Sequence, residues 1–253
     1  MKKFIRNNIT LTALGIILFI LIWFIISKII GEEILIFPGP YETFKDLFRL
    51  LGLKSTYISI VHTLIKMIIG YMISIILALI FGVISGINKY IEKVINPTII
   101  ALKAIPTASL MFLFIVLSNF EYAPVFVVIL VAFPILYDSV VSGIKNTPIN
   151  VNEAMMIDGG NSLKNVFKVK IPLATNYILV GIASSFGLAF KVEIMSEVLG
   201  GATGYGIGTQ IKFIQASEIS MVPIFSWTII AITILLLITL LSNQIKKKLL
   251  KVN

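Results

Sequence analysis

No cysteine occurs among the 253 residues, which excludes disulfides and thiolate-bound metal. The single histidine, His62, leaves no set from which a histidine-built metal centre could form. The phosphate-cradling pattern Gly-x-x-x-x-Gly-Lys-Ser/Thr is missing, so the chain is not expected to hydrolyse ATP. No nucleophile–base constellation stands out, and covalent chemistry is not expected. Charge is scarce as well, at 13% of residues against roughly 25% in an average soluble domain. What fills the space is apolar. Hydrophobic residues make up 58% and the mean hydropathy is +1.02, more apolar surface than a soluble fold of this length can hide, so much of it is expected to face lipid.

A bilayer core about 30 Å thick takes roughly 20 apolar helical residues to cross. Six runs qualify, at about 9–30, 59–87, 96–118, 122–144, 176–199 and 222–245. The first follows a basic start (Lys2, Lys3, Arg6), as a signal peptide would, but it exceeds the usual h-region and no small-residue cleavage site follows it. It is read as a retained helix. The net charge of +9 does not indicate nucleic acid, because the basic residues cluster at the ends of apolar runs. With six crossings, 13 of the 21 Lys and Arg fall on the face carrying the termini, the Lys89–Lys93 turn and the 145–170 segment. Five fall on the other face and three within apolar runs. This bias predicts an all-α, single-domain membrane protein with both termini in the cytoplasm.

Three local features stand out. Phe37-Pro38-Gly39-Pro40 makes a turn, and Tyr41–Leu51 after it reads as a short amphipathic helix. Gly70, Ser74, Ala78, Gly82 and Gly86 recur every four residues, a ridge that lets helices approach closely within the subunit or at a dimer seam. The polar segment 145–172 predicts a short helix, a Gly159-Gly160 break, a second amphipathic piece, and Pro172 opening the next span. Ala154, Met155, Met156 and Ile157 form an apolar knob there. Such a knob marks either a docking surface for a soluble partner or a helix lying in the lipid headgroups.

This segment resembles the EAA loop of bacterial ABC-importer permeases. Glu153-Ala154-Met155 matches Glu-Ala-Ala with methionine for the second alanine, Gly159 takes the glycine position, and Val169-x-Ile171-Pro172 is similar to Ile-x-Leu-Pro, 13 residues after the glycine. The likeness continues outside the loop. Phe37-Pro38-Gly39-Pro40, His62-Thr63-Leu64-Ile65-Lys66 with Gly70-Tyr71, and Leu102-Lys103-Ala104-Ile105-Pro106 are similar to the sulfonate/taurine/nitrate branch, with Lys66 and Lys103 for arginines. Met111–Phe120 departs from that branch's Pro-Leu…Trp-Phe-Gly stretch.

The resemblance implies a type I importer permease in the bacterial inner membrane, carrying a sulfonate, taurine, nitrate or thiamine-precursor-like solute. Glu153, Ala154, Met155, Met156, Ile157, Gly159, Ile171 and Pro172 would then couple it to an ATPase subunit, present in two copies and holding the ATP and Mg. A second permease chain, identical by expectation, and an extracytoplasmic binding protein would complete the complex.

Charges inside apolar runs are costly, about 2.5–3.5 kcal/mol each at a helix centre. Lys103, Lys191, Glu193 and Glu197 are therefore candidates to line or gate a path, or else to pair internally; Lys66 and Asp138 are expected to be structural. Glu193 and Glu197 are four apart and share a helix face, with Lys191 pointing elsewhere. The run Leu199–Gly208 reads as a flexible external turn. A competing class is a secondary transporter using these carboxylates as ion sites, although the chain shows no inverted repeat. A membrane scaffold would explain the loop but not the charges.

Overall fold

The protein is described here from a computed structural model covering residues 8–30, 37–200 and 204–251. The basic start, Leu35, Ile36 and Gly201–Thr203 lie outside the described residues. Among those residues the chain is helical throughout: α1 (Asn8–Ile29), α2 (Pro40–Leu51), α3 (Lys54–Ile87), α4 (Lys89–Ala104), α5 (Thr107–Leu117), α6 (Ala123–Lys145), α7 (Ile149–Ile157), α8 (Leu163–Asn165), a π turn (Val166–Lys170), α9 (Ile171–Gly200), α10 (Ile207–Ser217) and α11 (Val222–Lys251). Five of these are long and apolar enough to cross a membrane, six if α4 and α5 count as one bent span.

The run expected to span 96–118 is not one helix. α4 and α5 meet at 99°. Pro106 cannot donate a backbone hydrogen bond, and its ring drives Ile105 out of the helical region, to φ −71°, ψ 126°. α4 itself starts earlier than expected, because Asn88 caps it by accepting from the N–H groups of Tyr90 and Ile91.

The core is built on α3, α6 and α9. α3 and α6 run parallel, and the small-residue ridge of α3 is their seam. A Cβ on Gly70 would meet Val125 and Val128, one on Gly82 would meet Val140, and one on Gly86 would meet Ile144. Ser74 donates across the seam to the Ile129 carbonyl (3.2 Å), and Ala78 is buried beside it. α9 returns antiparallel to both. Tyr71 on α3 donates to the Ile182 carbonyl at 2.7 Å, and Gly143 and Gly181 let α6 and α9 close on Ala174, Tyr177 and Ser139. α11 packs outside α9, where Ser242 donates to the Ala183 carbonyl. α2 is tied to α11 by the Ser226 hydroxyl on the Thr43 carbonyl.

The sequence placed Pro172 at the opening of the fifth span. Instead the helix is continuous through it, beginning before the proline with α8 and the π turn. A proline has no N–H to offer and would crowd the carbonyl four residues back. The wider turn, closed by the Ile171 N–H on the Val166 carbonyl, accommodates it without a break.

Candidate functional site

Two ends of the bundle concentrate the polar residues. At one end lies the 145–172 segment, hereafter the loop end. α7 leaves α6 after Thr147 and Pro148, and its C-terminus is fixed by backbone geometry. Gly159 and Gly160 adopt φ +86° and +63°, a region open to glycine, and the Gly160 N–H closes on the Met155 carbonyl at 2.7 Å. Asn165, itself buried, reaches back and donates to the carbonyls of Asp158 (2.7 Å) and Gly160 (3.1 Å). Asn165 is not conspicuous in the sequence, although an amide five residues after a Gly-Gly break is the kind of residue that clamps one.

On this clamped support Met156 is 71% exposed and Ile157 90%, with Glu153 and Ala154 also facing out. Met155 does not belong to the exposed knob; it is buried. Four consecutive residues span more than a full helical turn, so one of them must point back into the fold. Ile171 packs against Val140, Ile144 and Ala174, and Pro172 is exposed.

At the opposite end Glu197 on α9 is completely buried and fully engaged. It accepts from Thr63 Oγ1 at 2.9 Å and from the Gly208 N–H at 2.9 Å, and it lies 3.6 Å from Lys66 Nζ. The turn read as flexible is pinned by these bonds at Gly206–Gly208, where neither glycine has room for a Cβ beside the carboxylate. Glu193, one turn away, is also fully buried, and neither of its oxygens has a hydrogen-bond partner among the described residues. Lys191 lies apart on the exposed face of α9.

Lys103 joins neither carboxylate. It pairs with Asp138 on α6, and both side chains are close to half exposed. Asp138 lines a cleft of about 550 Å³ between α6 and α9, whose other walls are Ser139, Ser142, Asn146, Asn176, Tyr177 and Val180. The sequence reading set Asp138 aside and did not single out Asn176 or Tyr177; only the antiparallel pairing of α6 and α9 gathers them.

Residues 74–250 match the family of binding-protein-dependent transport system inner membrane components. The chain belongs to that family. This inner membrane component is 34% identical over 88 residues to the glycine betaine transport system permease protein OpuAB of Bacillus subtilis (strain 168). That alignment takes in 33% of this chain and 31% of the relative, so the chain spans about a third of the curated relative's length. Its fold is that of the inward-facing MetNI methionine ABC transporter, with a TM-score of 0.65 at 15% identity over 77% of this chain and 95% of that one. An amino acid ABC transporter with histidines gives a TM-score of 0.62 at 18% identity, over 81% and 94%. This inner membrane component is accordingly a multi-pass permease of the type I ABC-importer fold.

Proposed function

We propose that this chain forms the membrane path of an ATP-driven importer for a small polar solute and receives its motion through α7. The carrying observation is the pair Met156 and Ile157, held out on a turn fixed by Gly159, Gly160 and Asn165. An apolar surface on so rigid a support suits a groove on another protein better than the mobile headgroups of lipid. The basic-residue bias places this end in the cytoplasm, where an ATPase is available.

Two ATPase subunits would carry the ATP and Mg, and two copies of this chain would enclose the path. A binding protein would deliver solute at the Glu197 end. ATP-driven closure of the ATPases would then shift the permease between two access states, as a ligand with differential affinity shifts any two-state equilibrium. The solutes in view are sulfonates, taurine or nitrate from the branch resemblance, thiamine-precursor-like compounds, and glycine betaine or methionine from the names of the relatives.

The reading is tested by purifying the tagged chain from its own membranes in mild detergent and identifying co-purifying proteins by mass spectrometry. An ATPase bearing a P-loop should accompany the native chain and be lost from a Met156→Asp/Ile157→Asp variant. Its absence from the native chain, even after crosslinking, would sink the proposal.

A further inference from the structure

The cleft between α6 and α9 bears on what passes through. Asp138 is the one charged residue on its walls; the others are neutral hydrogen-bonding groups and a valine. Asn176, on the α9 side, also lines the cleft, and its buried amide oxygen has no hydrogen-bond donor among the described residues. The Asp138 carboxylate is an acceptor that calls for a donor bearing positive charge.

The Lys103 ammonium supplies that charge to Asp138 from outside the cleft walls. Its pairing differs in kind from that of Lys66 with Glu197. Glu197 is wholly buried and also held by Thr63 and the Gly208 N–H, whereas the Asp138 and Lys103 side chains are 48% and 43% exposed. An exposed pair of that sort is weak and readily exchanged. Lys103 also sits in the last turn of α4, next to the 99° break, where a long side chain can swing aside without disturbing a packed helix.

We propose that Asp138 receives the ammonium group of the transported solute, with Lys103 as its exchangeable surrogate. This rests on the permease reading above and deepens it: the solute class is a small ammonium-bearing molecule, in most cases a zwitterion, and simple anions such as nitrate are excluded. The amine binds at the Asp138 carboxylate, and the polar side chains of the walls, Ser139, Ser142, Asn176 and Tyr177, are at hand for the remainder of the solute. Beside the cleft Gly181 brings α9 close onto Ser139, and the cleft volume of about 550 Å³ suits a small molecule.

The test uses the full chain in lipid nanodiscs and two probes that differ by one amine, taurine and ethanesulfonate, titrated calorimetrically. Taurine should bind and ethanesulfonate should not. Asp138→Asn should abolish taurine binding. Lys103→Gln removes the competitor and should tighten it by roughly two- to five-fold, the worth of an exposed ion pair. An Asp138→Asn/Lys103→Gln double variant with the native thermal midpoint establishes that the fold survives loss of the pair.

Equal binding of the two probes, binding of neither, or weaker taurine binding by Lys103→Gln would overturn the inference. These outcomes are independent of ATPase capture. A chain that captures an ATPase yet fails the probe test loses only the solute assignment, and a chain that captures none loses the importer reading.

Discussion

Thr63 and Glu197, 134 residues apart in the chain, act as one cap. The threonine hydroxyl donates to the carboxylate at 2.9 Å and accepts the Ile207 N–H at 2.8 Å, while the same carboxylate takes the Gly208 N–H. Two backbone donors at the start of α10 are thus satisfied by side chains from α3 and α9, which ties three helices together at the end of the bundle opposite α7.

Removing this carboxylate should be costly. Glu197→Ala strands Lys66, Thr63 and the Gly208 N–H, and the loss of one partner from a buried pair typically destabilises by about 3–5 kcal/mol. Glu197→Gln keeps an oxygen for Gly208 and should lose less. Thermal unfolding in detergent should therefore rank native above Gln above Ala; an unchanged midpoint for Ala would show that the cap carries no load.

Glu193 predicts the opposite response. Its oxygens are buried and have no hydrogen-bond partner among the described residues, so Glu193→Gln exchanges a carboxyl for an amide of the same shape without removing a bond. The midpoint should hold or rise, and import should continue at the native rate. A fall of several degrees would reveal that the carboxylate holds something, and loss of import would favour ion-coupled transport.

At the loop end, exposure separates two classes of substitution. Met156→Asp and Ile157→Asp should leave the midpoint unchanged and abolish ATPase capture. Met155→Ala removes a buried side chain and should destabilise by about 2–5 kcal/mol, as read by the midpoint. Asn165→Ala frees the glycine turn from two hydrogen bonds and should weaken ATPase capture while α7 still forms. Were Met156→Asp/Ile157→Asp to retain full capture, the docking surface would have to lie elsewhere.

The α3–α6 seam tolerates no added bulk. Gly82→Leu would drive a side chain into Val140, whose nearest atoms lie 2.7–2.8 Å from an ideal Cβ. Overpacking of this kind costs about 1–3 kcal/mol or more, so yield and midpoint should both fall. Gly15, which has open space around it, should accept leucine unchanged.

Backbone punctuation was the most legible part of the sequence. Gly159-Gly160 announces a turn whatever surrounds it, and a ridge of five small side chains four residues apart announces close packing; Pro172, expected to open a span, instead sits within a continuous helix. Phase and partnership were not legible. Hydropathy over 96–118 is continuous, so the run hides the bend that Ile105-Pro106 enforces. Met155 looks like Met156 until the helix is wound. Asp138 and Asn176 are far apart in the chain, and nothing local to either signals that antiparallel packing will set them on facing walls. The same holds for the pairing of Lys66 with Glu197 and of Lys103 with Asp138: the cost of a charge within an apolar run is readable from the sequence, its counter-ion is not.

The glycine seam has a mechanical corollary. Valine and isoleucine of α6 lie directly on the backbone of α3, so the two helices mesh closely along the whole seam. Like two racks cut with a single set of teeth, they travel together or not at all. A displacement at one end of α6 would carry α3 with it, and α4 is held to the same body by the Lys145–Glu92 and Lys103–Asp138 pairs.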